Sequence, residues 1–144
     1  MKILVALDFD EIAEEVENVA FELAQRLNGE VELVNIVNKN ISYAPVSTPF
    51  DFAVAWQLQC DKAKAGLEKI QLRHSAIACS IIALVGDPKE DIINKTSELK
   101  VAMIILGTHG RTGFAGLLLG STAEYIVRHS RVPVLVVPHN HTRH

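Results

Sequence analysis

The sequence has few cysteines and no long apolar run, and each scarcity excludes a class of protein. Its two cysteines, Cys60 and Cys79, form no CxxC pair and no metal-ligand spacing with histidine, so we expect buried or incidental thiols. After Met1 and Lys2 only five apolar residues precede Asp8. That segment is too short for a signal peptide or a membrane span, and we expect a cytoplasmic protein that does not associate with membranes.

The chain also has no excess of one charge. Its 144 residues include 14 Lys and Arg against 17 Asp and Glu, a net charge of −3 with histidine neutral. Nucleic-acid-binding domains carry a basic surface, so no nucleic-acid partner is predicted. The 49% of apolar residues are enough for the core of one domain. We place that domain at residues 1–138 and expect residues 139–144, with three histidines, to form a flexible C-terminal tail.

Five short apolar runs, rich in β-branched residues, predict five strands. Most of them are continuously apolar rather than alternating, which is typical of strands buried on both faces of a parallel sheet. The predicted strands are Ile3–Leu7, Val31–Val37, Ile77–Val85, Val101–Leu106 and Val132–Val137.

Helical patterns fill the intervals between these runs. Apolar residues repeat at helical spacing from Ile12 to Leu27, where Asn28 and Gly29 follow as a stop signal. A second helix is expected from about 52 to 73, after a long loop at 38–49.

The two remaining helices carry start signals. Asp87 is a good N-cap, Pro88 suits the first helical position and Glu90 occupies the capping-box position. Ser121 and Glu124 form a second capping box.

Strands alternating with helices predict a single-domain α/β fold with a doubly wound parallel sheet. Ligands of such sheets bind at the carboxyl ends of the strands. This rule indicates three places: Leu7–Asp8, Ile36–Val37, and the stretch that begins at Gly107.

Glycines recur at five positions after the fourth predicted strand and lead into the last helix. Glycine lets a backbone approach a phosphate closely, and the N–H groups at a helix start attract anions. No lysine precedes Ser121, so the stretch is not a Walker A loop. It is either a phosphate-binding loop or a structural turn in which Ser121 is an ordinary N-cap.

The spacing G-x2-G-x9-G-[ST], met by Gly107, Gly110, Gly120 and Ser121, resembles the ATP-binding signature of the universal stress protein family. The similarity extends to K-I-L-V-A-L-D at the start, G-D-P at 86–88 and V-P-V-L-V-V near the end. It implies a five-stranded sheet of order 3-2-1-4-5, the adenine nucleotide alpha hydrolase-like fold.

The resemblance also implies the residues of an ATP site. Asp8 would lie beside the nucleotide and its Mg²⁺ or Mn²⁺ ion; as a structural alternative, it would cap the first helix, since Glu11 lies three residues on. Ile36 would recognise adenine through its backbone, although its side chain suits the core. The other residues implied are Ala6 and Leu7 on the adenosine side, Leu106 and Gly107 at the pocket floor, His109 as a loop-ordering residue, and Gly110, Arg111, Gly120, Ser121 and Thr122 at the phosphates.

No nucleophile, base and orienting group stand together in the sequence, so we expect ATP hydrolysis to be slow at most. Binding would then act as a signal in a stress response. AMP or a cyclic nucleotide would fit the same adenine pocket. The resemblance also implies a homodimer through the last strand, Val132–Pro138, whose apolar edge calls for a cover; the alternative cover is the terminal tail. A dimeric interaction module that leaves the loop empty, and an ATP-consuming enzyme, are the competing hypotheses.

Overall fold

The computed structural model describes residues 1–41, 49–108 and 119–139. Within these ranges strands and helices alternate, as the sequence predicts. The elements are β1 (Lys2–Ala6), α1 (Ala13–Arg26), β2 (Glu30–Asn38), α2 (Pro49–Arg73), β3 (Cys79–Gly86), α3 (Pro88–Glu98), β4 (Met103–Gly107), α4 (Ser121–His129) and β5 (Val134–Val137).

The five strands form one parallel sheet in the order β3-β2-β1-β4-β5. This confirms the doubly wound fold and the strand order expected from the resemblance. β1 lies in the centre, where Val5 pairs with Leu33 of β2 on one side and Ile105 of β4 on the other. Its residues Ile3, Leu4 and Val5 are completely buried, which explains why this run is apolar throughout.

Helices cover both faces of the sheet. Ile3 and Val5 of β1 point into a core shared with α1 and α2, where Val16 and Leu67 are buried. Leu4 points to the opposite face and packs against α3 and α4, in a second core that includes Ile126. Successive side chains of one strand therefore contribute to two cores. Because all five strands are parallel, the loops that follow them lie at one edge of the sheet.

Three predicted strands begin later in the structure. β3 starts at Cys79 rather than Ile77, because the Ile77 N–H donates to the His74 carbonyl oxygen and closes the turn after α2. β4 starts at Met103 rather than Val101, whose N–H donates to the carbonyl oxygen of Thr96 at the end of α3. β5 starts at Val134, after Pro133. The apolar runs therefore include buried and partly buried turn residues as well as strand residues.

The helix starts are partly as predicted. The Asp87 carboxylate accepts the Lys89 N–H at 2.9 Å, which confirms the N-cap of α3. The carboxylate that accepts the Asp87 N–H is Asp91, not Glu90. The capping box predicted at Ser121 is wrong: Gly120 is the N-cap, Ser121 is the first helical residue, and Glu124 pairs with Arg128.

α2 is the longest helix, with 25 residues, and begins at Pro49, three residues before the predicted start. Among its described side chains Ala63, Leu67 and Ile70 are the buried apolar ones, while Leu58 and Leu72 are largely exposed. Across the described ranges no helix combines the length and apolar character needed to cross a membrane. Of the predicted loop at 38–49, residues 42–48 lie outside the described ranges.

Candidate functional site

A cavity of about 610 Å³ lies at the carboxyl ends of β1 and β2. Asp8 and Phe9 after β1, the last four residues of β2 with Ile41, and one face of α2 line it. Pro88 of α3 and Thr122 of α4 complete the lining from the other face of the sheet. This is the edge at which a doubly wound sheet binds its ligands, and the volume falls within the range of roughly 300–1,000 Å³ typical of small-molecule sites.

A narrow cleft of about 20 Å³ adjoins the cavity between β1 and β4. Asp8 and Thr122 line both spaces, so the cleft and the cavity meet at these two residues. α1 covers the cleft through Ile12 and Val16.

The structure brings most of the predicted site residues to these two spaces. Asp8, Ile36 and Thr122 line the cavity, while Ala6, Leu7, Leu106 and Gly107 line the cleft. Gly120 and Ser121 stand at the start of α4, next to Thr122. His109, Gly110 and Arg111 lie outside the described residues. The assignment of these residues to nucleotide contacts stays a prediction.

Asp8 follows a strand end that is firmly held. The Leu7 N–H donates to the Val34 carbonyl oxygen at 3.0 Å, and the buried Asn35 side chain donates to the Leu7 carbonyl oxygen at 2.6 Å. The alternative role of Asp8 as the N-cap of the first helix is wrong. The carboxylate that accepts an N–H at this helix start is that of Asp10, which bonds to Ile12.

β2 runs past the end of β1 and leaves a backbone edge facing the cavity. The pairing of the two strands ends at Ala6 and Val34, but β2 continues to Asn38. On its other side β2 stays paired with β3 to the end. The Val34 carbonyl oxygen accepts a hydrogen bond from Leu7 at the end of β1, whereas the N–H groups of Val31 and Lys39 donate to residues at the two ends of β3, so the even-numbered residues of β2 face β1. Ile36 therefore presents a backbone N–H and a carbonyl group on the cavity side that β1 does not use, while its side chain is buried in the core.

The start of α4 supplies further backbone donors. Gly120 is extended, with φ −61° and ψ 161°, and its carbonyl oxygen accepts the Glu124 N–H at 2.9 Å. The N–H groups of the first helical turn have no acceptor within the helix, and the helix dipole makes this end attractive to anions. Since Thr122 lines both spaces, these donors lie at the border of the cavity.

Gly107 has a packing role that the sequence motif does not show. A Cβ atom at this position would lie 2.8 Å from Cγ2 of Ile12 and 3.0 Å from Cγ2 of Val16. α1 can therefore pack on the end of β4 only because residue 107 has no side chain. This explains one glycine of the motif without any ligand.

Most of the cavity lining was missed by the sequence analysis, including Phe9 and three residues of α2. Phe9 adopts a left-handed φ of 55° and keeps 43% of its surface exposed. Its ring rests on Gly66 of α2, where an added Cβ would lie 2.8 Å from Cε1 of Phe9. Lys62 and Lys69 of α2 line the same space. No sequence signal separates these two lysines from other charged residues of the helix.

A separate polar cluster joins α1 to the end of α2. Glu17 is buried and its carboxylate accepts two hydrogen bonds from Arg73, at 3.1 and 2.8 Å. His74 Nε2 lies 2.8 Å from Glu17 Oε1. His74 also stacks on Phe21 with ring centroids 3.7 Å apart. Burial alone would raise the pKa of Glu17, but the hydrogen bonds and charges of Arg73 and His74 outweigh it and lower the pKa.

The two cysteines are free and half-buried, and neither lines the cavity. Burial, with a smaller contribution from Glu32, raises the pKa of Cys79 to about 11. Burial and the neighbouring Asp61 also raise the pKa of Cys60. A raised pKa keeps a thiol protonated and unreactive, which agrees with the expectation of incidental thiols.

Comparison with known proteins places these features in a family context. The model of the universal stress protein family matches residues 1–138. Universal stress protein Sll1388 from Synechocystis is 29% identical over 150 residues, covering 96% of this chain and 97% of the relative. The solved structure of MJ0577 from Methanocaldococcus jannaschii has a TM-score of 0.82 at 27% identity, covering 98% and 97% of the two chains.

Two further structures of the same fold were solved with adenine nucleotides. One is a universal stress protein in complex with cAMP, with a TM-score of 0.63, 21% identity, and coverage of 95% of both chains. The other, from Archaeoglobus fulgidus, is in complex with dAMP, with a TM-score of 0.62, 21% identity, and coverage of 94% and 96%. At this identity the likeness concerns the fold.

Proposed function

The chain belongs to the universal stress protein family, and on that basis we propose that it binds ATP and acts as a nucleotide-gated regulator in the stress response. The observation that carries the proposal is the cavity of about 610 Å³ at the carboxyl ends of β1 and β2, lined by Asp8, Ile36 and Thr122. Adenine nucleotides in two proteins of the same fold support the ligand class.

The free edge of β2 suits an adenine base. Backbone N–H and carbonyl groups beyond Val34 face the cavity without a strand partner on that side. A strand edge of this kind offers donors and acceptors in fixed positions, and adenine presents both on its rim. Ile36 would then contribute its backbone while its side chain stays in the core.

The phosphates would lie towards α4. The N–H groups of its first turn, with the hydroxyls of Ser121 and Thr122, would bind them. Micromolar affinity corresponds to about 8 kcal/mol, and each charge-assisted hydrogen bond contributes about 1.5–3 kcal/mol, so several donors must act together. Gly110 and Arg111, with His109 ordering the loop, are proposed as the further contributors.

The described residues fit a nucleotide-bound Mg²⁺ or Mn²⁺ ion better than a metal site made by protein alone. Asp8 offers a hard carboxylate ligand at the cavity, but within the described ranges no group of three His, Cys, Asp or Glu residues could enclose an ion. Mg²⁺ commonly takes one or two carboxylates together with substrate phosphates. The ion would neutralise phosphate charge, while Asp8 would orient it directly or through water.

We also propose a cytoplasmic location and a homodimer through Val132–Pro138. β5 is an edge strand, and Leu135 keeps 36% of its surface exposed there. An apolar edge favours pairing with another strand. The same observation favours the second candidate function, a dimeric interaction module that binds no nucleotide. Sedimentation at micromolar concentration tests the dimer, and a monomeric mass would contradict it.

Native mass spectrometry and titration calorimetry test the nucleotide proposal. We expect co-purified adenine nucleotide, or ATP binding in the presence of Mg²⁺ when the site is first emptied. Gly120→Val should abolish binding and keep the fold, since the extended backbone at Gly120 accepts any residue. Ala76→Val is the matched control, because Ala76 is exposed and lines a groove remote from the cavity.

Three results would contradict the proposal. The wild-type protein could fail to bind any adenine nucleotide, which would favour the interaction module. Gly120→Val could bind ATP as the wild type does, which would remove the phosphate assignment. Rapid phosphate release that Asp8→Ala abolishes would indicate an ATP-consuming enzyme instead of a regulator.

A further inference from the structure

We infer that Lys62 and Lys69 of α2 form a cationic subsite that makes binding strengthen with each phosphate group of the ligand, even without a divalent metal. The inference rests on the proposed function, since it concerns the same cavity. It assigns a role to a helix that carries no part of the glycine motif. These two residues are called the lysine pair below.

Helix geometry places the lysine pair on the cavity side. Residues seven apart in an α-helix lie nearly two full turns apart and therefore share a face. Gln59, Ala63 and Gly66 lie on the same face, and all of them line the cavity together with the lysine pair. Lys64, on the same helix and also exposed, does not line it.

The lysine pair makes the cavity positive in a chain that is negative overall. Asp8, Lys62 and Lys69 are its charged lining residues among those described, two cations against one anion, whereas the whole chain has a charge of −3. A space of this volume is on the order of 10 Å across, about one Debye length at 0.1 M salt. Any phosphate inside the cavity therefore lies within electrostatic range of both lysines.

The two lysines differ in what else they face. Lys69 also lines a neighbouring groove that contains Asp10, Glu11, Glu14 and Glu17, together with Arg73 and His74. Lys62 lines the cavity and not that groove. In the described part of the chain, neither lysine forms an ion pair within 4.0 Å. The carboxylates of the groove compete for Lys69, so Lys62 should contribute more to the ligand.

The electrostatic role has a signature that a structural role lacks. Attraction grows with ligand charge, so the benefit of the lysine pair should be greatest for ATP, smaller for ADP and AMP, and absent for adenosine. Salt should weaken it. Mg²⁺ neutralises part of the phosphate charge, so the benefit should also be smaller in its presence.

Titration calorimetry of adenosine, AMP, ADP and ATP in EDTA tests the inference on the wild-type protein and four variants. The variants are Lys62→Gln, Lys69→Gln and the double variant, and Lys64→Gln is the control that removes the same charge elsewhere on α2. Lys62→Gln should lower ATP affinity about 3- to 10-fold, Lys69→Gln less, and Lys64→Gln less than about 2-fold. Adenosine affinity should stay unchanged in all of them.

Two outcomes would overturn the inference and leave the proposed function intact. The double variant could lose the same factor for adenosine as for ATP, which would indicate a structural effect. Alternatively, Lys64→Gln could match Lys62→Gln, which would indicate net charge alone. A wild-type protein that bound none of the four ligands, either in EDTA or with Mg²⁺, would overturn the proposed function together with the inference.

Discussion

The contact between Phe9 and Gly66 supports a prediction that can be tested without a ligand. Gly66 lies within α2, where glycine is less favourable than alanine by about 0.8–1.0 kcal/mol. Gly66→Ala should therefore stabilise the helix by about that amount. The added methyl, however, would lie 2.8 Å from Cε1 and 2.9 Å from Cζ of Phe9, so the ring must move or the helix must shift.

The cost of this clash offsets the gain in helix propensity. The ring is half-exposed, but the left-handed backbone of Phe9 limits how it can move. A displaced ring costs on the order of 1 kcal/mol through an unfavourable rotamer or overpacking. We expect Gly66→Ala to leave the free energy of unfolding unchanged, or to lower it by up to about 1 kcal/mol.

Removal of the ring should recover the gain. In a Phe9→Ala background, Gly66→Ala should raise the free energy of unfolding by about 1 kcal/mol. The two substitutions would then show a coupling of about 1 kcal/mol or more, above the roughly 0.3–0.5 kcal/mol expected of independent sites. Urea unfolding of the four proteins measures this coupling, provided that the m-value stays constant. Equal stabilisation by Gly66→Ala in both backgrounds would refute the reasoning.

Three further predictions concern stability and reactivity. Glu17→Gln should lower the free energy of unfolding by about 1–3 kcal/mol at neutral pH. The pKa of Glu17 is lowered in the folded state, so its stabilisation is present above the ordinary pKa and is lost as the pH falls through the lowered one. The free energies of unfolding of the wild type and the variant, measured in urea, should therefore differ less at about pH 3 than at neutral pH. The same difference at both pH values would count against this. Lys100→Gly should raise the free energy of unfolding by about 0.5–1 kcal/mol in the same assay, because Lys100 is exposed and has a left-handed φ of 53° at the end of α3. Asn94→Gly, within α3, should lower the free energy of unfolding. A change of the same sign in both variants would be inconsistent with the backbone argument. Cys79, with a pKa of about 11, should react with a disulfide reagent at pH 8 far more slowly than free cysteine; a fast phase lost in Cys79→Ser would show otherwise.

The sheet could be predicted from the sequence because its signals are local and strong. β1 is buried on both faces, so its run is apolar at every position, and each helix lies between two such runs. The strand order came with the resemblance to a known family rather than from periodicity. Boundaries were less certain, because turn residues such as the partly buried Ile77 and the buried Val101 are as apolar as the strands they precede.

The cavity could be predicted only in part. Asp8, Ile36 and Thr122 follow strands or begin a helix, and the carboxyl-end rule places such residues at one edge. The lysine pair could not be found this way, since a lysine on an exposed helix gives the same signal wherever it points. The Phe9 contact could not be predicted either, because it depends on a positive φ at Phe9 and on Gly66, a glycine 57 positions further along the chain.

At the start of α3 the carboxylate that accepts the Asp87 N–H is one residue further along the chain than the sequence pattern predicts. Glu90 occupies the expected capping-box position, but Asp91 has the shorter side chain and bonds back to the Asp87 N–H. A Cβ at Gly86 would collide with that Asp91 carboxylate. The G-D-P sequence at 86–88 therefore serves the start of α3 by removing a side chain, capping the helix and fixing its first turn.

The way α2 is attached has a consequence for motion. Its buried residues Ala63, Leu67 and Ile70, and the Arg73 contact to Glu17, all lie in the C-terminal half. The N-terminal half, from Phe52 to Cys60, has no residue that is fully buried. In the N-terminal half the Trp56 indole N–H donates to the Ile41 carbonyl oxygen at 3.2 Å, but the buried contacts lie in the other half. Local opening should therefore cost least in the N-terminal half. A ligand that contacts Gln59 or Lys62 binds near the boundary between the two halves, where it can change the orientation of the N-terminal half.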